Sequence, residues 1–246
     1  MKKAHLFLIC GLAAAVGTVS CEEERPMGEK IYTTHFIQSV TFADALECRA
    51  VEEEGVIYLY LDGTSLERAG KGSTNNFYTE IGDTAYNRYV PQDPSLAAVF
   101  ANQFASIDIS SSEQFLDIPA GESIAKYVIF RSATAMPYIE SKYTVEGNWS
   151  EMVLDEFMIG MGRMDGYDGP GYEWYPEFQR DCFHPVVRSL SELTHDDLFL
   201  LWEGYPGSSL RFTAVPEIKS HTFTVTMTDT DGSVLTCSVP FTFPEQ

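Results

Sequence analysis

Residues 221–243 read HTFTVTMTDTDGSVLTCSVPFTF, and this stretch decides the fold class. From His221 to Thr228 apolar and hydroxyl side chains alternate strictly. Phe223, Val225 and Met227 share one face; Thr222, Thr224, Thr226 and Thr228 share the other. A strand places successive side chains on opposite faces, so this pattern predicts a strand with one buried side. Asp229-Thr230-Asp231-Gly232 follows, a turn with glycine where a positive φ is needed. Ser233–Phe243 alternates again, with Leu235, Cys237, Val239, Phe241 and Phe243 on one face. The whole predicts a hairpin packed on a core.

Working outward, a second hairpin is expected near the front. Leu46, Cys48 and Ala50 alternate inward, Glu52-Glu53-Glu54-Gly55 turns, and Val56–Leu61 is β-branched and aromatic. Further strands are expected over Ile31–Phe42 and over Ser123–Arg131, the latter after a Pro119-Ala120-Gly121 turn. Helices are fewer. Asp93-Pro94 resembles an N-cap with proline at the first helical position, opening a helix over Ser95–Phe104. Asn148 with Glu151 resembles a capping box for a segment reaching Met161. Thr194 with Asp197 does the same for His195–Glu203. Two stretches near 63–92 and 160–185 read as irregular insertions. Strands early and late with helices between predict a mainly β fold: one β-sandwich over 31–246, immunoglobulin-like in style, with a few short inserted helices.

Composition bounds the function. The 246 residues carry 16 Lys+Arg against 36 Asp+Glu, a net charge of -20. Binding to nucleic acid or to anionic headgroups depends on basic side chains neutralising phosphates, so nucleic-acid partners and a polybasic membrane patch are not expected. The N-terminus carries a different membrane signal. Met1-Lys2-Lys3 is basic, Leu6–Val16 is apolar, and small residues lead to Thr18-Val19-Ser20-Cys21. The apolar run is too short to span a bilayer core, which needs roughly 20 residues, and reads as a signal peptide over 1–20. Glu22-Glu23-Glu24 follows, and 21–30 reads as a polar tether. With two lysines and no acid in 1–20, residues 21–246 keep 14 basic and 36 acidic groups, or -22.

This N-terminal segment resembles the Bacteroidetes-type surface-exposed lipoproteins, in which a relaxed lipobox precedes acidic residues; Thr18 stands where the usual pattern has Leu, Val or Ile. The resemblance covers about the first 30 residues. It implies cleavage between Ser20 and Cys21, acylation of Cys21 with fatty acids such as palmitate, and an anchor at the bacterial outer membrane or cell surface. Asp83-Thr84-Ala85 resembles the short motif carrying O-glycans on such exported proteins, which makes Thr84 a candidate glycosylation site. Neither resemblance extends to the folded part.

Candidate sites within the fold are few. The stretch 164–178 reads MDGYDGPGYEWYPEF. Tyr167, Tyr172, Trp174 and Tyr175 beside Asp168 supply flat apolar rings and a hydrogen-bond acceptor, the chemistry that recognises sugars. The alternative is that these rings pin a long loop to the fold. Asp165-Gly166-Tyr167-Asp168-Gly169 and Asp229-Thr230-Asp231-Gly232 each offer two carboxylates, short of the six to eight oxygens calcium takes. No GxSxG, HExxH, CxxC, GxGxxG or Walker pattern occurs, so no catalytic residue, metal site or cofactor is expected. Beyond Cys10 and Cys21 the cysteines are Cys48, Cys182 and Cys237. One disulfide with a free thiol is open; three buried thiols acting as small hydrophobes are the favoured reading.

The expectation for function is a non-enzymatic, lipid-anchored surface module that binds a glycan or protein. The alternatives are an accessory or anchor subunit of a surface fibre, using strand addition at Ser233–Phe243, and a hydrolase of exported polymers.

Overall fold

A computed structural model describes residues 30–66, 75–91, 97–149, 182–204 and 207–245. The 221–243 stretch forms the predicted hairpin. Strands β10 (Ser220–Asp229) and β11 (Val234–Thr242) pair antiparallel, from Ser220 opposite Thr242 to Thr228 opposite Val234. Gly232 takes φ 87° in the turn and donates its N–H to the Asp229 carbonyl at 3.0 Å. Phe223, Val225 and Met227 are fully buried, while the threonines between them stay at least partly exposed. Strand β6 (Phe104–Ser111) adds on the other side of β10, completing a three-stranded antiparallel sheet.

The second hairpin also forms. Strands β2 (Ser39–Val51) and β3 (Val56–Leu66) turn through Glu52–Glu54, with Gly55 at φ 68°. They belong to a sheet ordered β5-β2-β3-β9-β7-β8. Here β5 is Ala98–Phe100, β7 Val128–Thr134, β8 His184–Ser189 and β9 Ser208–Phe212. All its pairings are antiparallel except β2 with β5. Strand β2 carries a bulge between Ala43 and Ala45. Asn102 answers it, accepting from the Ala43 N–H at 2.7 Å and donating to the Ala43 carbonyl at 3.1 Å. Gly63 sits opposite, where a Cβ would stand 2.0 Å from the Phe42 carbonyl oxygen. Only glycine fits that close backbone approach.

The two sheets face each other across one core. Phe115, Phe130, Phe223, Ile57, Leu59 and Ile109 are among its most buried members. The fold is therefore mainly β, a sandwich with short helices, as expected. Among the described residues no helix is long and apolar enough to cross a membrane.

Cys48 and Cys237, each on the inward face of its strand, form a disulfide between the sheets, with Cα atoms 5.9 Å apart. This overturns the expectation of three thiols. The two residues are 189 apart in sequence, and spacing alone cannot show that β2 and β11 meet at a corner. Cys182 is a free thiol and buried. At the same corner the Glu52 carboxylate accepts from the Thr242 N–H at 2.7 Å. Pro240 lacks an N–H there altogether. The outer edge of β11 is thus closed by β2, a carboxylate and a proline, devices that keep an edge from pairing with other chains.

Several elements differ from the expectation. The Ile31–Phe42 strand is split into β1 (Lys30–Thr33) and β2. Where a helix was expected over Ser95–Phe104, the described residues, from 97 onward, hold the strand β5 and the start of β6 at Phe104. Ala98–Phe100 is buried on both faces as β5, and a uniformly apolar run reads alike as buried helix or buried strand. The Ser123–Arg131 strand begins only at Val128, after a 3-10 turn over Ala125–Tyr127. The Thr194/Asp197 capping box forms, but its helix stops at Leu198. Leu200 then turns at φ 51°, and the residues around it make isolated bridges instead of a helix: Phe199 with Gln103, Leu201 with Thr134 and Trp202 with Val99. The stretch near 63–92 contains the end of β3, a helix α1 (Asn75–Glu80) and strand β4 (Arg88–Pro91), which pairs with β1. The helix proposed from Asn148 to Met161 lies outside the described residues beyond Trp149.

Candidate functional site

A second core lies at the end of the sandwich where β2 begins. It holds Phe36, Ile37, Tyr78, Tyr86, Tyr138, Tyr143, Trp149, Phe183 and Trp202, with other apolar residues. Its organising group is Asp83, fully buried just after α1. The Asp83 carboxylate accepts from the N–H groups of Phe36 (2.8 Å) and Ile37 (2.9 Å) and from the Tyr143 hydroxyl (2.9 Å). These bonds hold the turn that interrupts Ile31–Phe42. His35 Nδ1 bonds the Asp83 carbonyl oxygen, and the His35 ring stacks on Tyr78 at 4.1 Å. Burial pushes the Asp83 carboxyl above its ordinary value, against the opposing pull of those donors. Burial, with Asp83 nearby, also pushes the Tyr78 hydroxyl up to about 12.

Above this core stands the two-stranded ribbon of β1 and β4. Tyr32 and Tyr89 are directly opposite each other on it, 56% and 68% exposed, in an edge-on pair with ring centres 5.2 Å apart. Arg88 ties the ribbon down, donating to the Tyr138 hydroxyl (3.1 Å) and the Tyr143 carbonyl (3.2 Å), and lying 5.0 Å over the Tyr86 ring. Thr84 is exposed between Asp83 and the ribbon. Asp83, its motif neighbour, is by contrast locked into the core.

The chain leaves for and returns from segment 150–181 at this same end. Trp149 and Cys182 are both buried in the second core. A Cβ at Gly147 would lie 2.0 Å from the Phe183 carbonyl oxygen, and His184 Nε2 bonds the Val145 carbonyl at 3.0 Å. The two feet are thus fixed side by side. Tyr167, Asp168, Tyr172, Trp174 and Tyr175 lie outside the described residues, as do Ser20 and Cys21.

Where β3 and β9 part, a small cleft of about 80 Å³ opens between Tyr60, Phe100, Glu203 and Gly207. Glu203 accepts from the Thr41 hydroxyl at 2.8 Å; burial, together with Asp62 nearby, raises its carboxyl. Ligand pockets span about 300–1,000 Å³, so this cleft is smaller than an ordinary ligand pocket. Among the described residues no group of three or more His, Cys, Asp or Glu is placed to hold a metal ion. The Tyr32–Tyr89 pair escaped the sequence reading, since a four-residue strand carries too little alternation to mark a face. Comparison with known proteins finds no family, no curated protein and no solved structure that matches this chain.

Proposed function

We propose that the chain is a lipid-anchored bacterial cell-surface protein whose β-sandwich presents a binding surface to a glycan or protein ligand. The observation that carries the binding reading is the clustering at one end of the fold. The exposed Tyr32–Tyr89 pair and the fixed feet of the aromatic-rich 150–181 segment stand there on a common core. Rings with one open face bind sugar rings and protein side chains alike. The Cys48–Cys237 disulfide supports an exported protein, because such bonds persist in oxidising compartments. The signal and lipobox resemblance at 1–24 supports anchorage through Cys21, with the acidic triplet directing the protein outward.

Three measurements test this reading. Cys21→Ala is expected to move the protein from the membrane pellet to the soluble fraction. At -22 the exported chain gains nothing from an anionic leaflet, so acyl chains, at about 0.8 kcal/mol per buried CH₂, must hold it alone. Retention of Cys21→Ala in the pellet refutes the anchor. On a glycan array the full chain is expected to bind a restricted set of sugars, with Tyr89→Ala weakening binding about tenfold. No retained glycan, or retention indifferent to Tyr32 and Tyr89, removes the sugar version. Thr84→Ala tests the O-glycan: intact mass should fall by the glycan while the fold stays unchanged.

A further inference from the structure

We draw no further inference here: the strongest candidate, the arginine and tyrosine cluster on the outer face of the six-stranded sheet, where Arg49, Tyr58 and Arg131 share a row across β2, β3 and β7 beside Arg211 of β9, carries nothing, because each of these residues already has a partner and nothing in the structure shows what ligand would cover them.

Discussion

Replacing Cys48 with Ser is expected to lower the unfolding free energy by about 2–5 kcal/mol, the cost usual for a native disulfide. Cys48 and Cys237 are separated by 189 residues. In the chain-entropy description a loop of that length restricts the unfolded ensemble by about 5 kcal/mol. Net stabilities are only about 5–15 kcal/mol, so the bond accounts for a large share of the margin. Its position adds a structural consequence. The bond pins β2 of the larger sheet to β11 of the smaller one, beside the Glu52–Thr242 contact. Without it the corner opens and the β11 edge is freed to pair with other chains. Guanidinium unfolding should therefore give the same lowered midpoint for Cys48→Ser, for Cys237→Ser and for the reduced wild type. The double substitution should be no worse than either single one, because all remove one bond. Identical midpoints for the oxidised and reduced wild type would show that the crosslink contributes nothing.

What the sequence disclosed follows from how each element is specified. The β10–β11 hairpin was legible residue by residue because one face is buried and the other open, so threonine and apolar residues alternate with period two. The β2–β3 hairpin was legible at its turn, where Gly55 must take φ 68°. Strand β5 was not legible, since Ala98, Val99 and Phe100 are buried on every side and lose the alternation that marks a strand. The bridged turn Phe199–Trp202 was not legible either. Its conformation is dictated by Val99 and Thr134, residues distant in sequence that need bridging partners. The disulfide and the Tyr32–Tyr89 pair are likewise products of topology rather than of local pattern. Asp83 shows the same limit most sharply. Its triplet with Thr84 and Ala85 reads as a surface motif, and Thr84 is indeed exposed. The aspartate beside it is a buried acceptor, because the turn at Phe36 and Ile37 presents two N–H groups to it.

Asp83→Ala is expected to destabilise the fold by about 4 kcal/mol, since it strands three buried donors and each unpaired group costs about 1–3 kcal/mol. Those donors are the N–H groups of Phe36 and Ile37 and the hydroxyl of Tyr143. Thr84→Ala, one residue away and exposed, should stay within about 0.5 kcal/mol. Asp83→Asn keeps the volume and one acceptor oxygen, and should fall between the two. It also isolates the titration. Burial sets the Asp83 carboxyl above its ordinary value, so the folded chain keeps that proton to higher pH than the unfolded chain, whose aspartates titrate near about 3.9. Between the two values the native state binds more protons, and stability falls as pH rises through the window, then levels once both states are ionised. The stability of wild type minus that of Asp83→Asn, from urea midpoints across a pH series, should therefore decrease upward from about pH 4 and reach a plateau. A difference that grows with pH would mean that the donors on Phe36, Ile37 and Tyr143 outweigh burial and hold Asp83 as a stabilised carboxylate.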